Sequence, residues 1–388
     1  MPFASAFGQT FFIGVFGSEL RETFGISNAR FGLLYSLATL ANAGLLMWLG
    51  RLIDRVDLRA YTAATVTAYS GACLFMALVP PLAPLLFLGF LFLRLTGQGL
   101  MSHIGVTSMG RYFHEGRGTA VSIASLGFPG AEALFPPLGV AMIGWLGWRQ
   151  TWLVIAVVLI LIVLPLALWL LRGHTQRDAA HRAQQAERTA SGLGDGDWRV
   201  AQVMRDPRMY LMLPAVLLAP FAITGLFFHQ AVLVEAKGWT LAWFAGAFVP
   251  YALASTAGTM VSGHLVDRIG ARRLLPVFVL PIAAGLMLLA TASAPWVAYG
   301  FMIGAGLTAG SALTLQGALW AEIYGTAHLG AIRSLVWGLV VFSTAIAPVL
   351  FGLLLDSGVK MNAIAGGCVA AAGLAAVLTL PVTRGAQA

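Results

Sequence analysis

Twelve apolar stretches of about 20 residues each occupy most of this 388-residue chain, and they constrain its fold more than any other feature. A stretch of that length and hydropathy is solvated by lipid. An unpaired backbone N–H or C=O has no water to bond there, so each stretch must be a helix. The spans read as residues 2–20, 30–50, 60–79, 84–109, 118–145, 149–171, 208–235, 241–262, 274–293, 295–321, 331–355 and 360–381. Composition agrees: 59% of residues are hydrophobic and 10% charged, against about 25% charged in soluble proteins. No soluble core absorbs that much apolar surface, and the fold class is all-α integral membrane.

The twelve spans divide six and six around a repeated motif. Gly50-Arg-Leu-Ile-Asp54-Arg55 follows the second span, and Gly263-His-Leu-Val-Asp267-Arg268 follows the eighth, 213 residues later. Each copy opens a short arginine-rich loop, with Arg59 after the first and Arg272 and Arg273 after the second. The stretch from Gly118 to Trp145 aligns with that from Gly330 to Leu355, pairing Pro136 with Pro348. The halves are therefore parallel repeats, an arrangement that leaves a site at the repeat interface. G-x-L-x-D-R in matching slots of a twelve-span pattern resembles the major facilitator superfamily over nearly the whole chain. That resemblance implies twelve transmembrane helices in two six-helix, pseudo-symmetric halves. The expected domains are a first bundle at 1–171, a cytoplasmic linker at 172–207 and a second bundle at 208–388.

Within the linker, Ser191-Gly-Leu-Gly-Asp-Gly196 breaks an Ala-, Gln- and Arg-rich stretch. Asp197 is placed to N-cap a short amphipathic turn whose Trp198, Val203 and Met204 are expected at the lipid interface. Met1 onward reads as the first span and not as a cleavable signal. Seventeen of the 23 Lys and Arg fall on the linker side, five on the other, and Arg94 lies inside a span. By the positive-inside rule both termini and the linker are cytoplasmic, in a multi-pass protein of the plasma (inner) membrane. The net charge of +8 is thus a matter of topology, and no nucleic-acid partner is expected. Cys73 and Cys368 lie within spans and read as small buried hydrophobes; neither a disulfide nor a metal site is expected.

The loop motifs carry conformational chemistry. Gly50 and Gly263 allow close helix approach. Asp54 and Asp267 bring carboxylates to where the eleventh and fifth helices begin, and a carboxylate near a helix N-terminus is stabilised by about 0.3–1 kcal/mol. In the superfamily it resembles, this contact latches the two halves. Arg55, Arg117, Arg268 and Arg333 complete the expected charge network.

Midway through the fourth span stands Arg94, roughly 15 Å deep. An arginine there costs at least about 2.5–3.5 kcal/mol, so it must face a cavity or a partner. Arg94-Leu-Thr-Gly97-Gln98-Gly99 resembles the superfamily's fourth-helix motif, an arginine followed by paired glycines. Glu132, on the fifth span and about 6 Å above that level, is the candidate ion-pair partner and the candidate proton carrier. Gln9, Asn42, His103, His229, Gln230 and Gln316 point toward midmembrane from the first, second, fourth, seventh and tenth spans. His103 and Gln316 occupy the same place in the two repeats. Trp320 and Trp337 are candidate aromatic walls, while Glu235 and Glu322, near span ends, are expected to be solvated.

Tyr112-Phe-His-Glu-Gly-Arg117-Gly, a glycine-rich fifth span with Pro136-Pro137, and Gly147-Trp148-Arg149 resemble the monocarboxylate and oxalate/formate transporter branch. The stretch from Trp243 to Ser262 carries no charge, which leaves Arg94 as the sole buried cation for an anionic substrate. The chain has no Walker loop, metal cluster or nucleophile–base constellation, so neither an enzyme nor a cofactor is expected. The expected function is secondary transport of a small organic anion by rocker-switch alternating access, with the proton as the coupling ion and the protein as a monomer. Two alternatives stand: proton-driven efflux of hydrophobic or cationic compounds, with Glu132 as the binding anion, and a non-transporting membrane sensor.

Overall fold

In a computed structural model, residues 1–54, 56–105, 108, 123–172, 200–325 and 328–384 are described. Ten of the helices there are long and apolar enough to cross a membrane. The shorter Leu280–Thr291 and a broken first span complete the twelve-span layout. The chain forms two units. One is Met1–Ile26 with Leu33–Gly192, the other Ser27–Gly32 with Leu193–Ala388.

In the first unit the opening span is not the continuous helix expected at 2–20. It runs as a 3₁₀ turn Ala4–Gly8, an extended residue Gln9 (φ −86°, ψ 154°), a helical turn Thr10–Ile13, a second 3₁₀ turn Gly14–Phe16 and a helix Gly17–Phe24. Interrupted backbone in a membrane must be met by protein. Here the Gln9 N–H donates to the Ala6 carbonyl, and the Gln9 carbonyl accepts from Phe12 and Ile13. Aromatic rings hold the broken span in place. Phe7 lies 4.5 Å from Phe135 of the fifth span (Gly127–Leu146), and Phe16 lies 4.7 Å from Trp152 of the sixth, which begins as Trp148–Val158. Gly147, at φ 81°, makes the turn between those two spans.

The second span, Asn28–Leu49, continues as a 3₁₀ turn Gly50–Asp54. The third, Leu58–Leu78, starts at an N-cap in which the Asp57 carboxylate accepts from Arg59 N and Ala60 N, both at 3.0 Å. Its far end is met by Arg149, whose Nη1 donates to the Ala77 carbonyl at 3.0 Å. The fourth span begins as Ala83–Leu93 and passes into a π-helical stretch, Arg94–Met101.

In the second unit the seventh span is Pro207–Phe228, kinked at His229, then Gln230–Lys237. The eighth is Leu241–Gly246 and Phe248–Ile269, so the second loop motif is helical and the turn comes only at Gly270 (φ 84°). Glu322 is exposed, as expected, and its carboxylate also accepts from Ala271 N at 2.8 Å, capping the short helix Ala271–Leu274. The long helix of the ninth span starts at Leu280 and not at the expected 274, because Pro276 and Pro281 withhold two backbone donors. The Ile282 N–H is instead satisfied by the buried Thr308 hydroxyl at 3.0 Å. Lys237 closes the other end, its ammonium donating to the carbonyls of Leu289 and Ala292.

The tenth span, Trp296–Tyr324, packs between the eighth and ninth through glycines. A Cβ at Gly306 or Gly310 would run into the backbone carbonyls of Tyr251 and Ser255, and one at Gly304 into that of Pro281. Lipid supplies no hydrophobic drive between helices, so such close backbone approach carries the association. The eleventh and twelfth spans are Leu329–Asp356 and Met361–Arg384. Asp356 caps Ser27–Gly32 within this unit, accepting from Asn28 N at 3.2 Å and Ala29 N at 2.8 Å. Val203, expected at the lipid interface, is instead fully buried beside Met209, Met212 and Ile332; Asp197 and Trp198 lie outside the described residues.

Two glycine substitutions on the tenth span separate packing from propensity. A methyl group at Gly317 would meet nothing within 4 Å, whereas one at Gly310 would meet a carbonyl. Gly317→Ala should be neutral or gain up to about 1 kcal/mol in helix propensity. Gly310→Ala should lose about 1–3 kcal/mol through overpacking, read as a lower unfolding midpoint in detergent. Equal midpoints for the two would remove the glycine-packing account.

Candidate functional site

Arg94 is 2% exposed, and the structure gives it hydroxyl partners. Its Nη1 donates to the Tyr35 hydroxyl at 2.6 Å and to the Thr10 hydroxyl at 3.3 Å. Tyr35 and Thr10 are themselves hydrogen bonded at 2.6 Å, and the guanidinium carbon lies 4.9 Å from the centre of the Tyr35 ring. The expected ion pair with Glu132 is not formed: the described residues contain no Arg94–Glu132 bridge, and Glu132 sits half-buried on the fifth span. The physical reason lies in the broken first span. Its extended Gln9 delivers Thr10 to the guanidinium, and the Phe3 and Phe7 rings take the face of the fifth span formed by Ala131 and Phe135.

Sequence order explains how the three residues meet. A Cβ at Gly8 would overlap the Leu93 carbonyl and lie 2.9 Å from Gln98 N, so the first span rests on the fourth-span backbone beside Arg94. Gly97 makes room for the Tyr69 ring of the third span, and a Cβ at Gly99 would lie 3.2 Å from the Asn42 side-chain oxygen of the second. The second and fourth spans thus run alongside each other, with Tyr35 level with Arg94, Asn42 with Gly99, and Gly50 against the His103 ring.

The energetics leave the site incomplete. A hydrogen bond to a charged group stabilises by about 1.5–3 kcal/mol and a desolvated cation–π contact by about 2 kcal/mol, enough to offset the burial of the arginine. Yet Arg94 Nε is buried with no partner, as are Asn42 Oδ1, Gln98 Oε1 and Ser102 Oγ. Each unmet buried polar atom costs about 1–3 kcal/mol. A cationic donor with Gln98 and Ser102 on the fourth span and Asn42 on the second thus gathers polar atoms left open within the first unit.

The remaining expected site residues are dispersed. His229 is buried at the seventh-span kink, its Nε2 at 2.8 Å from the Pro348 carbonyl, and Gln230 beside it is fully buried. Gln9 and His103 are partly buried in the first unit, and Gln316 is partly buried on the tenth span. Trp320 is 1% exposed and stacks on Tyr324 within the second unit's core, while Trp337 is exposed. Of the gate residues, the Asp54 side chain, Arg55 and Arg117 lie outside the described residues. Gly263 faces a Thr314 methyl, Asp267 and Arg268 are exposed, and Arg333 donates to the Gly317 carbonyl. Tyr35, Thr10, Gln98 and Ser102 were not picked out from sequence. The last two stand four and eight residues after Arg94, close to one and two helical turns, which is the signal that marks them.

Twelve spans, with a buried cation and open polar groups in the first unit, define an all-helical integral membrane protein. The model of the Major Facilitator Superfamily matches residues 1–348, and the chain belongs to that superfamily. It is a multi-pass membrane protein. A chloramphenicol resistance protein from Streptomyces lividans is 28% identical over 257 residues, 66% of this chain. The match spans 57% of that relative's length. Among solved structures, a bacterial homologue of the human lysosomal transporter Spinster, inward-facing and occupied, aligns at a TM-score of 0.65 and 17% identity. That alignment covers 98% of this chain and 93% of the other. The nucleoside transporter NupG aligns at 0.69 and 14% identity, over 98% and 97% of the two chains. These two likenesses establish the fold alone.

Removing the Tyr35 hydroxyl tests the arrangement. Tyr35→Phe should cost about 1.5–3 kcal/mol, the value of a hydrogen bond to a charged group, measured by chemical unfolding in detergent. A variant as stable as the parent would mean that Tyr35 does not hold the guanidinium.

Proposed function

We propose that this transporter moves a small organic anion, monocarboxylate-like, by rocker-switch alternating access of halves 1–171 and 208–388, joined by the linker 172–207. The observation that supports it is Arg94: a buried guanidinium held by hydroxyls, with no carboxylate among the described residues to cancel its charge and with Nε open. The arginine asymmetry supports a plasma (inner) membrane protein with both termini cytoplasmic. The protein acts as a monomer. The proton is the coupling ion, and Glu132, a carboxylate deep in the fifth span with no ion-pair partner among the described residues, carries it.

A second reading has its own support. Similarity to a chloramphenicol resistance protein favours export of a hydrophobic compound, with Glu132 facing the substrate or driving exchange with protons. One assay separates the two readings. Reconstituted into proteoliposomes, the protein should accumulate a radiolabelled monocarboxylate under an inward-directed proton gradient, and should ignore chloramphenicol and cationic dyes. Arg94→Ala should abolish uptake, and Arg94→Lys should restore little because an ammonium lacks the guanidinium fork. Glu132→Gln should keep substrate exchange while losing gradient-driven accumulation. Dye or chloramphenicol transport that survives Arg94→Ala would overturn the anion reading in favour of export.

The paired loop motifs support a latch on the linker side of the membrane, formed by Asp54 and Asp267 with Gly50, Gly263, Arg55, Arg117, Arg268 and Arg333. Asp54→Asn should raise the labelling of single cysteines by a reagent applied from that side, by severalfold. Unchanged labelling would remove the latch.

A further inference from the structure

The polar groups left open in the first unit extend in one direction from Arg94. Nη1 of the guanidinium is committed to Tyr35 and Thr10. Nε is buried without a partner, and its N–H runs parallel to one of Nη2, so the side-on edge these two nitrogens form matches the two oxygens of a carboxylate. Gln98 follows one turn along the fourth span and Ser102 a second turn, and Asn42 of the second span lies against Gly99 between them. Asn42 is 6% exposed, and Arg94 2%. Asn42 Oδ1, Gln98 Oε1 and Ser102 Oγ are all buried without a hydrogen-bond partner. Helix-to-helix glue does not account for these three atoms, because they have no hydrogen-bond partner among the described residues.

An amide both donates and accepts, and a serine hydroxyl does the same. A plain aliphatic carboxylate would fill the guanidinium edge and lay a hydrocarbon tail against these groups, leaving all three unmet. A tail of several hydroxyls would meet them, because each hydroxyl also donates and accepts. An ammonium on the tail would place a second cation beside Arg94, so neutral donors fit the site better than an amino acid does. The polar run from Arg94 to Ser102 extends over about two turns of the fourth span, which suits an extended chain and not a two-carbon acid. The same stretch is π-helical, a form found mostly at functional sites.

We infer that the site takes a polyhydroxylated carboxylate of sugar-acid type, its carboxylate held side-on by Arg94 and its hydroxyls read by Gln98, Asn42 and Ser102. Tyr35 and Thr10 are positioning residues that fix which guanidinium edge is free. This inference rests on the anion reading above and narrows it.

The test compares two probes of similar length, gluconate and hexanoate, by calorimetric binding to the full-length protein in detergent. Gluconate should bind at least tenfold more tightly than hexanoate to the unaltered protein. This comparison involves no variant and so does not depend on how a variant folds. Gln98→Met and Asn42→Leu should each reduce gluconate binding by about tenfold and leave hexanoate unchanged, while Arg94→Ala removes both. Tyr35→Phe should weaken both probes by a similar factor and preserve their ratio, as expected of a residue acting through the guanidinium. Equal affinity for the two probes, both lost in Arg94→Ala, would overturn the polyhydroxyl inference and leave the anion reading standing. Failure of both probes to bind the unaltered protein, with chloramphenicol binding in their place, would overturn both.

Discussion

Lipid accepts no unpaired backbone polar group, and the shape of each unit follows from how that demand is met. Where a span stays helical, it satisfies itself. Where it breaks, another residue must supply the missing partner. Gln9 closes its own break through Ala6, Phe12 and Ile13, and Thr308 supplies the acceptor that Ile282 lacks after two prolines. Lys237 and Arg149 play the same part at the C-terminal ends of the ninth and third spans. Each break is thereby fixed in place, and a fixed break is a means of aiming a side chain.

The first span shows what such aiming achieves. A continuous helix through residues 2–20 would not bring Thr10 to Arg94 at the angle observed. The extended Gln9 does so, and it is tolerated because Gly8 rests on the fourth-span backbone and four rings, Phe7, Phe12, Phe16 and Trp152, hold the remainder. Packing and chemistry are coupled at this point. The glycines and rings that position the broken span also determine which guanidinium donors are used and which stay open. An arginine neutralised by a carboxylate would be a structural strut. One held by two hydroxyls keeps its charge uncancelled, at a cost the surrounding packing must bear.

The second unit obeys the same rule with different residues. Its tenth span is a spacer between the eighth and ninth, built on Gly304, Gly306 and Gly310, and its buried histidine bonds a backbone carbonyl in place of a charged group. The two units therefore differ in what they bury. The first carries the cation, while the second carries tight glycine packing and a kinked seventh span. Position 307, which aligns with Arg94, is a leucine whose backbone packs against Gly258.

Sequence alone determined the number of spans and the superfamily, because hydropathy and a twice-repeated loop motif are properties of residues in order. It also singled out Arg94, since burying a charge at midmembrane is too costly to be incidental. It paired that arginine with Glu132 on depth and sign of charge, and there it failed. Depth along a helix is legible from residue counting, but the face a residue presents depends on where neighbouring backbones break and how closely glycines let them approach. Gln9 is an ordinary polar residue until tertiary packing makes it a hinge, and Tyr35 is one of 8 tyrosines until the fourth span sets Arg94 beside it. Val203 was misplaced for a related reason: a short amphipathic turn finds partners on distant segments. The charge was written in the chain; its partners were decided by the packing of helices that order alone does not bring together.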